Sequence, residues 1–208
     1  MSEARQRWLD EGVEMLTQEG GAGALRIDRI APRLGLTRGS FYHHFKGAAD
    51  FKRELLDHLE KRQLGAFSEV IAEERSDEGR TAHETTASLI SRLAAARSRL
   101  RRPRLEAALR AWALTDPDAA RTQAAIDEGR LEMIRSVWRQ VTDDEDEVRM
   151  AALLPYVIAI GSSAIMPPLS DEDLALLYER IVALVRIGIA DHTTPGEAHI
   201  DRQQESTP

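Results

Sequence analysis

Between Arg26 and Lys46 the chain gathers side chains that donate hydrogen bonds to anions or to base edges: Arg26, Arg33, Thr37, Arg38, Ser40, Tyr42, His43, His44 and Lys46. This mixture is what contact with a phosphate backbone and with the edges of bases requires. Residues 24–46 hold five basic side chains against a single acid, Asp28. The rest of the molecule leans the other way, with 17 basic and 25 acidic residues over 64–208 and a net charge of −7 for the whole chain. A small basic patch on an acidic body suits a protein that touches nucleic acid at one end only. Interleaved with the polar groups are Ile30, Ala31, Leu34, Leu36, Phe41 and Phe45, enough apolar surface for two short helices to share a core.

The elements around this segment read as helices throughout. No run alternates strictly in β-branched and aromatic residues, and no internal repeat is evident. Trp8, Leu9, Val13 and Leu16 form one apolar face over Glu3–Glu19, closed by a glycine-rich turn at Gly20. A phosphate-cradling loop would need a strand before those glycines, and a helix precedes them. The pattern predicts a second helix over Ile27–Leu34, a turn at Gly35, and a third over Arg38–His44 capped by Thr37. This is the helix-turn-helix plan. Pro32 is tolerable in so short a helix because the hydrogen bond it lacks belongs to the first turn. A fourth helix is expected from Gly47, carrying Phe51, Leu55 and Leu59, with a polar break over 76–79. Capping signatures at Thr81, Thr142 and Ser170, and Asp116-Pro117, predict further helices over 81–98, 103–114, 117–140, 144–165 and 171–190. The fold class is all-α, with about nine helices: a DNA-binding domain over 1–46, a helical body over 47–191, and a polar, disordered tail over 192–208.

The run Ile30-Ala31-Pro32-Arg33-Leu34-Gly35-Leu36-Thr37-Arg38-Gly39-Ser40-Phe41-Tyr42-His43-His44-Phe45 resembles the DNA-binding signature of TetR-family repressors. The agreement includes the glycine before the recognition helix, the tyrosine, and the His-Phe exit. The resemblance implies three N-terminal helices that bind DNA and a larger helical body that binds an inducer and dimerises. By position, Thr37, Tyr42, His43 and Lys46 would meet phosphates. Arg38, Ser40 and His44 would face base edges, and Arg26 and Arg33 would lie near the backbone. Two positions depart from the pattern. Leu34 stands where the family has alanine, and Ala48 stands where it commonly has a phosphate-binding lysine. Lys46 and the amides at the start of the fourth helix are left to replace that contact.

In the body, Leu174, Leu177, Ile181, Leu184, Val185 and Gly188 form one stripe, and Val148, Ala151, Ala152, Pro155 and Ala159 form another. Together they are the expected homodimer surface. A dimer implies double-stranded DNA with a near-palindromic operator. Arg110, Trp112, Asp127, Arg130, Met133, Trp138, Tyr156 and Met166 are the candidate lining of a pocket for a small-molecule inducer. A helical interaction module that does not bind DNA is the alternative.

Hydrolase, Walker and dinucleotide-binding signatures are missing, so no enzyme and no cofactor is expected. None of the six histidines has metal-ligand spacing, and the acidic run Asp143–Glu147 suits a helix start better than a metal. There is no cysteine. The opening residues carry no apolar signal segment, and the longest apolar stretch, Ala151–Met166, is interrupted by Pro155, Gly161 and two serines. A cytoplasmic protein away from membranes is expected.

Overall fold

The computed structural model describes residues 2–75, 103–140, 142–167, 169–170 and 172–181. These residues form α1 (Glu3–Glu19), a 3-10 turn (Ala22–Ala24), α2 (Ile27–Arg33), α3 (Arg38–His44), α4 (Ala48–Arg75), α5 (Pro103–Ala113), α6 (Pro117–Trp138) and α7 (Glu145–Ala164). A last helix, α8, covers 172–181. The described residues contain no strand. The expected helix over 81–98, the break over 76–79, the tail, and Leu184, Val185 and Gly188 lie outside the described residues.

Most helix starts follow the local chemistry. The Ser2 hydroxyl accepts from the Arg5 amide at the head of α1. The Thr37 hydroxyl accepts from the Ser40 amide at the head of α3. The Asp116 carboxylate accepts from the Asp118 and Ala119 amides, with Pro117 as the first helical residue of α6. Ser170 and Asp173 form the expected capping pair of α8. One start differs. The cap of α7 is Asp144, which accepts from Asp146 and Glu147, whereas Thr142 donates its hydroxyl hydrogen to Glu147. A carboxylate closer to the first turn takes the amide donors that a threonine two residues earlier cannot reach.

Two apolar clusters hold the helices. The first joins Trp8, Leu9, Val13 and Leu16 of α1, Ile30 and Ala31 of α2, and Phe41 and Phe45 at α3. It continues without a break into Phe51, Leu55 and Leu59 of α4, Leu105, Leu109 and Trp112 of α5, and Ala119 and Ile126 of α6. The second cluster packs Phe67 and Ile71 of α4, Ile134, Val137 and Trp138 of α6, Val148 and Ala152 of α7, and Leu174, Tyr178 and Ile181 of α8. The long helices α4 and α6 run through both clusters and pack on each other. Between the clusters they carry Gln63, Asp127 and Arg130.

The second cluster corrects the expected dimer stripes. Val148, Ala152 and Pro155 are buried, as are Leu174 and Ile181, so these faces pack against each other and α6 within one chain. The opposite face of α7 is the open one. Met150, Leu153, Leu154 and Val157 recur at i, i+3, i+4 and i+7 with 38–56% of each exposed. Leu176 and Leu177 of α8 are exposed as well.

Candidate nucleic-acid interface

A short helix cannot hold its own shape in water, so the pose of α3 depends on what lies behind it. Phe41 is fully buried and meets Trp8 edge-on with ring centroids 5.3 Å apart. It also packs against Phe45 at 5.1 Å and Phe51 at 5.6 Å. Each such aromatic contact adds about 0.5–1.5 kcal/mol beyond area burial. The Arg5 guanidinium lies 5.3 Å over the Phe45 ring and is ion-paired with Glu54. At the other end Gly35 takes φ 66°, a left-handed conformation that lets its amide return to the Pro32 carbonyl and the Leu36 amide to Ala31. The Arg7 guanidinium donates to the Leu34 carbonyl at 3.2 Å, bracing the turn from α1.

With its apolar side fixed, α3 exposes the opposite one. Thr37, Arg38, Tyr42, His43 and Lys46 are exposed, and Ser40 and His44 are half-buried. Tyr42 is 56% exposed and stands edge-on to Phe41, which supports the ring and leaves its hydroxyl to solvent. The Thr37 oxygen accepts from Ser40, so its hydrogen remains available to an anion. Gly39 has open space: a β-carbon there would meet only Thr37 Oγ1, at an ordinary 3.5 Å. Nothing described in the chain itself demands a glycine at this place.

The cations divide into two groups. Arg26 is clasped by Asp28 through contacts of 2.9 and 3.2 Å, and this hydrogen-bonded pairing holds the Asp28 carboxyl below the usual range. Arg33 pairs with Glu11 at 2.5 Å and with Gln18 at 2.8 Å. Arg29 pairs with Glu19 at 2.6 Å. These arginines fasten α2 to itself and to α1. Among the described residues, Arg38 and Lys46 form no ion pair, which leaves their charge for a phosphate or base. The Lys46 backbone amide donates to Asp50 at 2.9 Å, and that hydrogen bond keeps the Asp50 carboxyl low. Sequence reasoning missed Arg5, Arg7 and Asp50 as supports of this surface. Their partners lie too far along the chain for spacing to reveal them, except Asp50, which sits at a helix start.

The pocket candidates separate. Trp112 belongs to the first cluster; Trp138 belongs to the second, with Met133 and Tyr156 packed against it. Met166 is 85% exposed beyond the end of α7, apart from the others. Four do meet. Arg110 forms two hydrogen bonds to Asp127, at 2.7 and 2.9 Å, and one to Glu106 at 2.9 Å. Arg130, buried, reaches both oxygens of Glu106 at 3.2 Å and Gln63 at 3.0 Å. Asp127 Oδ1 also accepts from Tyr156 at 2.7 Å and Gln123 at 2.8 Å. Burial acts to lower the Arg110 pKa, yet the Asp127 bond and the two carboxylates outweigh it and raise it. For Asp127 burial acts upward, and the Arg110 and Tyr156 hydrogen bonds outweigh it and lower it. Burial first, then Asp127, pushes the Tyr156 phenol up to about 12.

The family model of bacterial regulatory proteins, tetR family, matches residues 9–59, the span from the middle of α1 to the first half of α4. No curated protein matches the chain in sequence. Solved structures match its fold. A transcriptional regulator from Rhodococcus sp. Rha1 superposes with a TM-score of 0.61 at 21% identity, over 88% of this chain and 96% of that one. A protein from Mesorhizobium loti assigned to the TetR family gives 0.68 at 15% identity, over 90% and 98%. FadR from Bacillus subtilis, solved with stearoyl-CoA, gives 0.59 at 19% identity, over 86% and 96%. The match to the tetR family model is confined to residues 9–59, and the described helices follow the fold of these regulators. No helix among the described residues is long and apolar enough to cross a membrane.

Proposed function

We propose that the chain is a sequence-specific transcriptional repressor that binds a near-palindromic operator as a homodimer in the cytoplasm and is released by a small-molecule inducer held in its body. One observation carries the reading: α3 is locked from behind by Phe41 and Phe45 and presents Thr37, Arg38, Tyr42, His43 and Lys46 outward on an otherwise acidic protein. Arg38 and Ser40, in the first turn of α3, meet base edges, with His44 beside them. Thr37, Tyr42, His43 and Lys46 take phosphates. Binding, not catalysis, is the work of this surface.

The exposed stripe Met150–Val157 supports the dimer, because a contiguous apolar helix face is costly to leave in water. Two copies would then set their α3 helices about 34–36 Å apart, or at a multiple of one DNA turn. The proteins with the same fold include one solved with stearoyl-CoA, which favours a body built around a guest.

Selection of bound sequences from random duplex DNA tests the reading. A palindromic consensus is expected, with affinity falling steeply as salt rises because bound phosphates release counterions. Arg38→Ala should cost about 1–3 kcal/mol and relax preference at one base position. A chain that stays monomeric in sedimentation, or binds DNA without salt dependence, would overturn it.

A further inference from the structure

The layer between the two apolar clusters holds charged groups that are not fully paired. Glu106, Arg110, Asp127 and Arg130 bring two positive and two negative charges into it, with Gln63 on α4 and Tyr156 on α7 at its edges. Burying the Arg130–Glu106 pair and half-burying Arg110 with Asp127 is not an economical way to stabilise a bundle, since apolar residues of similar volume commonly do as well or better. The pairing is also incomplete. Arg110 Nε and Arg130 Nε are buried donors with no partner among the described residues, and Arg130 is more than nine-tenths buried. Against these two donors the layer leaves one acceptor, Gln123 Oε1. The surplus is of donors: one Nε–H on each guanidinium, whose terminal nitrogens are already engaged by Asp127, Glu106 and Gln63, and a charged N–H of this kind favours an anionic oxygen.

We propose that this layer is the inducer-recognition centre of the body and that its ligand is an organic monocarboxylate with an apolar tail; this rests on the regulatory reading above. The carboxylate accepts from Nε of Arg110 and Nε of Arg130. Asp127 tolerates the newcomer because Tyr156 and Gln123 continue to donate to it when Arg110 is shared. The tail lies along the apolar cluster of Phe67, Trp138 and their neighbours, which borders the layer. Since Gln63 sits on α4, the same helix that carries Phe51 into the core behind α3, a guest that draws Arg130 from Gln63 loosens the support of the DNA-contacting face.

Sodium octanoate is the probe, with octanamide and octylamine as matched controls, on the full-length protein. Thermal unfolding without DNA reads binding, because a ligand that prefers the native state raises the melting temperature. Octanoate is expected to raise it and to weaken operator binding by about tenfold, and the amide and the amine to do neither. Arg110→Lys and Arg130→Lys keep the charge and remove the Nε donor, so each, once shown folded by circular dichroism, should lose the octanoate response. An octanoate effect matched by octanamide, no effect of octanoate, or a full response in both folded variants would overturn the proposal. Thermal stabilisation by octanoate in a chain that binds no DNA would leave the ligand assignment standing and remove the repressor reading.

Discussion

The core behind α3 and the layer between the two clusters solve opposite problems with neighbouring stretches of the same helices. Behind α3 the contacts are aromatic and dry: Trp8, Phe41, Phe45 and Phe51 interlock, and the polar surface of α3 inherits a fixed pose from them. In the layer between Leu59 and Phe67 of α4 the contacts are charged, shared and incomplete. Precision is built from apolar packing, in which the unpaired atoms are the Trp8 indole Nε1 and Arg5 Nε at its rim. Responsiveness is placed where buried charges share their partners. The contrast is one of chemistry and of depth, since Arg110 and Asp127 are only half-buried while the rings behind α3 are fully enclosed.

The largest expected effect tests the dry side. Phe41→Ala should remove about 3–5 kcal/mol of stability in denaturant unfolding, and a loss near 1 kcal/mol would mean that the cluster does not fix α3. Next is the charged side. Glu106→Ala leaves Arg130 buried and unpaired, and about 3 kcal/mol should be lost. Replacing both partners, Glu106→Leu with Arg130→Met, should recover most of that loss, because no charge is then stranded. A double variant as unstable as the single one would show that the layer is held by shape instead.

Titration sharpens the same contrast. The Tyr156 phenol is raised in the folded state to about 12, above its ordinary value near 10. Its contribution is therefore complete below pH of about 10 and is lost as pH climbs toward 12. Asp127, lowered in the folded state, contributes above the ordinary carboxylate range near pH 4 and loses that contribution as pH falls through its folded value. Melting curves of Tyr156→Phe should lack part of the alkaline loss seen in the parent protein, and a smaller part of the acidic one, because the phenol also helps hold Asp127 low. An unchanged alkaline limb would remove the phenol from the network. The smallest effect falls on the open surface. Gly39→Ala has room in the free protein and should raise stability by up to about 1 kcal/mol, yet weaken operator binding, because the added methyl stands where DNA approaches. Unchanged operator affinity would mean that Gly39 does not face the duplex.

Much of this was legible in the sequence where chemistry is local. Thr37, Asp116 and Ser170 act as caps because a short oxygen-bearing side chain reaches amides only two or three residues away. The apolar side of α3 followed from Phe41 and Phe45. What spacing could not tell was which apolar side of α7 turns inward. Val148, Ala152 and Pro155 on one side and Met150, Leu153, Leu154 and Val157 on the other both satisfy helical periodicity. The choice is made by Tyr178 and Leu174 arriving from α8. Likewise spacing could not show that Arg33 reaches Glu11 and Gln18, which belong to another helix.

The continuity of the first cluster has a consequence for how such a chain can be inherited. Leu105, Leu109 and Trp112 of α5 complete the core that begins with Trp8 and Phe41. A fragment ending at Lys46 would carry away the DNA-contacting surface with one wall of its interior torn off. Joining these N-terminal helices to a different body would require that body to supply apolar side chains in place of Leu105, Leu109 and Trp112.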